Sequence, residues 1–308
     1  MTLRWAIFLW FFASTGFSYT PLPGVSSNDQ SPAAAQTEPK ADEQQKPQDS
    51  AQPPTLDVKP GAPVLKQKDP WEGTGVLHPL LRMPKYIFQD QKAIWTSPFH
   101  TSKQDVKFWA IFGTVTTAFI ATDKWSVKQL PNSSSQVSVS KWASRAGSAY
   151  SLIPISAGFY FIGTGTHEVR LRETGLLAFE TLIDSTLVGE AVKLATDRAR
   201  PLESGGRGHF WDSPNGRLSS GFPSGHAINV WALASVIAHQ YPHPRIVPIM
   251  AYALASTVVM ARVGARQHFP GDVVAGSAMG WFLGDYVYGR RRQLVGPFAD
   301  SRGVQGEQ

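Results

Sequence analysis

Cysteine is absent from the 308 residues, which excludes disulfides and thiolate metal sites outright. An oxidising compartment is compatible with that absence but not required by it. Charge is also scarce: 17% of residues are charged and 42% hydrophobic, lean in charge for a soluble protein of average composition. Neither an alternating strand pattern nor an internal repeat is present. The little charge there is leans positive, +6 net, which favours anionic partners such as phosphate groups, an anionic membrane surface or nucleic acid. Nucleic acid fits least, because the basic residues sit near helix ends rather than along a groove with stacking aromatics.

Residues 1–20 carry Arg4, an apolar run from Trp5 to Ala13 and small residues such as Ser14, Gly16 and Ser18. That is the shape of a signal peptide. A short membrane anchor is the alternative, although the run falls short of the roughly 20 residues of a spanning helix. Residues 21–69 are rich in Pro, Gln, Ala, Ser, Asp and Lys. Such a stretch buries too little surface to offset the entropy of ordering and is expected to be a disordered tether. Scattered aromatics (Trp71, Tyr86, Phe88, Trp95, Phe99) among prolines and charges predict an irregular lead-in over 70–102, packed on a domain at 103–292. Residues 293–308 are left as a tail.

The domain reads as six helical segments, near 103–122, 138–164, 170–198, 224–240, 245–263 and 270–289, separated by Gly and Pro. The expected fold is an all-α six-helix bundle. In the third segment Glu180, Asp184 and Glu190 alternate with Leu176, Leu177, Leu182, Ile183, Leu187 and Val188, an amphipathic pattern.

Three clusters carry chemistry. In the first, Pro201 disfavours helix at Arg200, so the third helix should end there. Lys193 lies two turns back on the same face, and the two cations can clamp an anion or simply snorkel over apolar surface. In the second, Ser224 suits an N-cap, with Gly225 and His226 opening the next helix. Free N–H groups and the helix dipole favour an anion there, and His226 is placed to give a proton to a leaving oxygen. The plain alternative is an ordinary capped helix. In the third, Pro270 suits the first helical position, which puts His268 just ahead of the helix and Asp272 in its first turn. A carboxylate so placed can take one imidazole N–H and leave the other nitrogen as a nucleophile; equally, the pair can serve capping alone. Arg262 would stabilise charge on a transferring group. A metal held by His226, His268, Asp272 or His209 is disfavoured, because Lys193, Arg200 and Arg262 would stand beside the cation. In an up-and-down bundle all three clusters fall at one end.

These residues resemble the type 2 phosphatidic acid phosphatase superfamily, shared with bacterial acid phosphatases and vanadium haloperoxidases. Its pattern is Lys-x6-Arg-Pro, Pro-Ser-Gly-His and Ser-Arg-x5-His-x3-Asp. Here it stands as Lys193…Arg200-Pro201, Pro223-Ser224-Gly225-His226 and Arg262…His268…Asp272. The resemblance implies an all-α fold and metal-free hydrolysis of a phosphomonoester, that of a lipid or a related amphiphilic compound. By the same resemblance Lys193, Arg200, Ser224, Gly225 and Arg262 bind phosphoryl oxygens, and His268 attacks phosphorus. His226 then protonates the leaving alcohol and Asp272 orients His268. One position departs: the family's serine before the arginine is Ala261. Two other functions share the pocket, a vanadate-dependent haloperoxidase, with vanadate as its cofactor, and a non-catalytic envelope protein.

Location is pulled two ways. Arg290-Arg-Arg292 after the last segment reads as a cytoplasmic stop, which with six spans places the site outside and residue 103 inside. A cleaved export signal would put residue 103 outside instead. The acids of the third segment weigh against lipid. The expectation is an envelope protein, membrane-associated or periplasmic, with its site outside the cytoplasm.

Overall fold

A computed structural model of the chain describes residues 77–96, 103–131, 133–211 and 220–295. The expected leader (1–20) and tether (21–69) lie outside the described residues, as does the chain beyond 295. In chain order the helices are α1 (His78–Thr96), α2 (Lys103–Gln129), α3 (Ser134–Ser144), α4 (Ala149–Gly165), α5 (Val169–Thr196), α6 (Gly225–Gln240), α7 (Ile246–Gly264) and α8 (Pro270–Val295). A 3₁₀ turn, Arg145–Gly147, joins α3 to α4. No strand occurs among the described residues, and the fold is the expected all-α bundle.

The bundle forms around α6. Its residues Ala227, Ile228, Val230, Leu233, Ala234 and Val236 are all buried, as befits a helix apolar on nearly every side. On one flank Val230 and Leu233 meet Leu182 of α5 and Val258, Val259 and Val263 of α7. On the other, Ile228 packs with Val188 and Val192 of α5 and with Met279 and Leu283 of α8. Glycines at 276, 280 and 284 recur every four residues and so line one face of α8. A Cβ at Gly280 would lie 2.1 Å from the carbonyl oxygen of Ile228, and one at Gly284 2.5 Å from that of Ala232. The two backbones therefore touch directly, in the manner of small-residue helix pairs. This seats the start of α8 beside the start of α6.

Four expectations change. Residues 78–96, expected to be irregular, form α1, whose Met83, Asp90 and Ile94 are buried. The second segment is broken: Ser133 caps α3 by accepting the N–H of Gln136 at 3.2 Å, and the 3₁₀ turn bends the chain before α4. The third helix stops at Thr196, because Asp197 takes a left-handed conformation (φ 44°), one that Asp tolerates. Lys193 and Arg200 thus do not share a helix face.

The last change concerns charge. Of the four acids in α5, Glu173, Glu180 and Asp184 are buried and face the bundle interior rather than solvent. α8 runs on past 289, so Arg290 and Arg291 are helical. Arg291 binds both Glu180 and Asp90, Arg290 lies 2.8 Å from Asp90, and Gln91 donates to Asp184 at 2.9 Å. These two arginines therefore fasten α1, α5 and α8 together, and three of the four acids of α5 no longer count against lipid around the bundle.

Gly280→Val is expected to lower stability by about 1–3 kcal/mol through overpacking, read as a lower thermal midpoint by circular dichroism. At Gly289 nothing lies within 4 Å of an added Cβ, so Gly289→Ala should match or exceed the parent. A Gly280→Val midpoint equal to that of Gly289→Ala would contradict the backbone contact.

Candidate active site

Backbone bonds tie the three clusters to one end of the bundle. The hydroxyl of Thr196, the last residue of α5, donates to the carbonyl of Phe222 at 2.8 Å. The N–H of Gly221 donates to the carbonyl of Arg198 at 2.8 Å. The N–H of Ser224 donates to the carbonyl of Asp272 at 3.0 Å, joining the start of α6 to that of α8. Ser224 is the N-cap of α6, its side chain accepting the N–H of Ala227 at 3.4 Å. The N–H groups of Gly225 and His226 fall in the first turn, where a helix offers no internal partner. A Cβ at Gly225 would come 2.9 Å from Nζ of Lys193, so glycine lets that ammonium approach the helix start. Lys193 also meets the exposed Glu190 at 2.6 Å.

His268 is 2% exposed, and its Nδ1 lies 2.7 Å from the carbonyl oxygen of Gly221. A carbonyl only accepts, so Nδ1 carries the proton and Nε2 of the neutral ring keeps its lone pair. Asp272 was expected to make that contact, but its Oδ2 is 3.8 Å from Nδ1, beyond hydrogen-bond range. Oδ2 instead accepts the N–H of Phe269 at 2.7 Å, which fixes the turn carrying His268. The imidazole is oriented by Gly221, with Asp272 acting through the backbone beside it.

Sequence reasoning assigned no role to Arg198 or Asp123. Arg198 is 1% exposed. Its Nη1 binds Asp272 Oδ1, its Nη2 donates to Asp123 Oδ2 at 2.7 Å and its Nε to the carbonyl of Gly208 at 3.0 Å. The rings of Phe210 and Phe269 lie 4.7 and 4.6 Å from its guanidinium carbon, within cation–π range. Gly208 has φ +60°, and a Cβ there would press into Phe269 at 2.7 Å, so only glycine fits. Asp123 in turn accepts the N–H of Gly271 at 2.8 Å, in the first turn of α8. Phe210 and Trp211 pack around the end of α5: Phe210 lies against Arg198, and Trp211 Nε1 donates to the carbonyl of Ala195 at 2.8 Å. Residues 212–219 of that loop lie outside the described residues.

The two outer cations are held loosely enough to serve an anion. Arg200 Nη2 donates to Ser220 at 2.7 Å, and Arg262 Nη1 to Ser144 at 3.3 Å. The Nε of each is buried with no partner among the described residues, a donor that an anion's oxygen would satisfy. Ser144, also missed, supplies a hydroxyl to Arg262 where Ala261 supplies none. Its own proton goes to the carbonyl of Lys141 at 2.9 Å.

Electrostatics fit this arrangement. Burial, reinforced by Arg262, His268, Lys193 and Arg200, pushes the His226 imidazole down to about 3. Burial also lowers His268, opposed by Asp272, with Arg262 and Arg200 adding to the downward push. Arg262, His268, Lys193 and Arg200 thus all lie within electrostatic reach of His226. With both imidazoles neutral, the three cations make a positively charged cavity, and a dianion entering it would raise the His226 pKa toward the range of a proton donor.

Among the described residues, the arrangement is an all-helical bundle with three cations and two neutral imidazoles gathered at one end. Residues 174–293 match the model of the PAP2 superfamily, and this segment holds every candidate residue. The chain is 37% identical over 121 residues to a lipid A 1-phosphatase of Rhizobium etli, covering 38% of this chain and 51% of that protein. A lipid A 1-phosphatase of Rhizobium johnstonii is 37% identical over 111 residues, covering 35% and 44%. The chain thus spans about half the length of the curated relatives it matches. A solved transmembrane PAP2-type phosphatidylglycerolphosphate phosphatase from Bacillus subtilis is 23% identical with a TM-score of 0.44, covering 71% of this chain and 98% of that one.

His226 is neutral in the fold and has an ordinary value of 6.5 when unfolded. Below that pH the unfolded chain takes up a proton that the folded chain refuses, so stability falls on acidification from 6.5 toward about 3. The thermal midpoint should drop between neutral and mildly acid pH, and drop less in His226→Gln. Equal drops in the two proteins would contradict the desolvated imidazole.

Proposed function

We propose that the protein is a phosphomonoesterase that releases phosphate from a lipid-borne or related amphiphilic phosphomonoester through a phosphohistidine at His268. The observation that carries this is the Nδ1–H of His268 fixed on the Gly221 carbonyl at 2.7 Å, which leaves Nε2 as the attacking lone pair. The phosphoryl group sits among Lys193, Arg200, Arg262 and the first-turn N–H groups of α6, which stabilise charge on its oxygens as the transition state forms. Nε2 bonds to phosphorus as the P–O bond to the alcohol breaks. His226, its pKa raised by the bound dianion, gives the alkoxide its proton. Water then attacks the phosphohistidine, returning a proton to His226, and phosphate leaves with Nε2 restored. The charge is met by side chains already present, so the step is proposed to need no metal.

The relatives' names, lipid A 1-phosphatases, support a lipid substrate. The exterior supports a membrane setting. α7 is long and apolar enough to cross a membrane by length and composition, and its Ile249, Met250, Leu254 and Met260 are exposed. Such a face favours contact with acyl chains. We place the protein in the cell envelope with the site outside the cytoplasm, a reading supported by Arg4 and the apolar run to Ala13.

Purified protein is expected to release phosphate from p-nitrophenyl phosphate and from a diacylglycerol phosphate, with His268→Ala slower by on the order of 10³-fold or more. Activity retained in His268→Ala would contradict the nucleophile. Bromide oxidation that needs added vanadate, without phosphate release, would favour the haloperoxidase instead. Membranes washed with carbonate should retain the protein; full release would contradict the lipid-facing α7.

A further inference from the structure

A cavity of 180 Å³ opens from the phosphate end and runs down the seam between α5 and α6. Lys193 and His226 stand at its upper end, and Ser185, Thr186 and Asn229 at its lower end. Lys193 and Ser185 are eight residues apart on α5, so the groove reaches about 12 Å along the helix. Small residues hollow it out: a Cβ at Gly189 would already lie 2.9 Å from Ile228.

Its floor is polar in an otherwise apolar stretch of α6. Asn229 Oδ1 accepts from Ser185 at 2.8 Å, and its Nδ2 reaches Thr186 at 3.4 Å. Thr186 spends its own proton on the carbonyl of Leu182 at 2.7 Å. An amide has two N–H donors, so the network leaves the second N–H of Asn229 for an acceptor in the groove. Beside it on α5, Ile183, Leu187 and Leu194 are 37%, 47% and 57% exposed, and Ile153 of α4 is exposed nearby in sequence to the groove wall at Ala149.

From this ordering of cation, polar floor and apolar outer face we infer that the groove is the subsite for the alcohol part of the substrate. It takes an acylated amphiphile whose ester or amide carbonyl, close to the phosphate, accepts from Asn229, and whose chain then lies along Ile183, Leu187 and Leu194. The inference rests on the phosphomonoesterase reading and deepens it: an isoprenyl phosphate has the chain but no carbonyl, and phenyl phosphate has neither.

The test compares kcat/KM for a diacylglycerol phosphate, an isoprenyl monophosphate and phenyl phosphate in the parent, Asn229→Leu and Thr186→Phe. Asn229→Leu keeps the side-chain size and is expected to lower the ratio of diacylglycerol phosphate to phenyl phosphate about tenfold, the loss of one neutral hydrogen bond, mainly through KM. Its ratio of isoprenyl to phenyl phosphate should hold. Thr186→Phe, at an exposed position where the fold tolerates bulk, should lower both ratios by filling the groove. The inference is overturned if both variants keep the diacylglycerol ratio within about twofold of the parent, or if Asn229→Leu lowers the diacylglycerol and isoprenyl ratios alike. A parent that releases phosphate from none of the three would overturn the hydrolase reading beneath it.

Discussion

One buried guanidinium holds the catalytic end of this bundle together. Arg198 follows the left-handed residue that ends α5, and it is bonded at once to Asp123 on α2 and Asp272 on α8. Asp123 also holds the N–H of Gly271, and Asp272 that of Phe269. Three elements are thereby fixed at the residues flanking His268. Such a network gives geometry more than net stability, because desolvating the ions offsets much of their attraction. Losing one partner is another matter, since it strands a buried charge at a cost of about 3–5 kcal/mol.

The charges in the pocket follow from that frame. Arg198 is neutralised by its two carboxylates, whereas Lys193, Arg200 and Arg262 stand around two imidazoles kept neutral by burial and by those same cations. The resting pocket has more positive charge than it can satisfy, and Nε–H groups on Arg200 and Arg262 that have no partner among the described residues. In the proposed mechanism a phosphoryl dianion corrects both at once and makes His226 a competent proton donor only after it has bound.

The sequence made the candidate clusters legible because each is contiguous and sits beside a Pro or Gly that marks a helix end. Ser224, Gly225 and Pro270 behave as those local rules require. What it hid depends on distance along the chain. Asp123 and Arg198 are 75 residues apart, and nothing near either residue shows that it has a partner. Helix α1 contains Pro79 and Pro84 and looks irregular in isolation. Its Asp90 is buried only because Arg291, 201 residues on, meets it there. Glu180, bound by the same Arg291, and Asp184, bound by Gln91, point inward for the same reason, although the pattern read as amphipathic. Asp272 was placed correctly but given the wrong contact: spacing set it near His268, and only the folded turn shows the Gly221 carbonyl in the way.

The central claim is that Nε2 of His268, freed by that carbonyl, becomes covalently bonded to phosphorus. Its most direct test is a single turnover with ³²P-labelled phosphomonoester, quenched under alkaline denaturing conditions and mapped by peptide mass spectrometry. The account predicts a base-stable, acid-labile phosphoryl group on residue 268, formed no more slowly than alcohol is released. Label on any other residue, or alcohol released with no phosphoenzyme at any time, would contradict it.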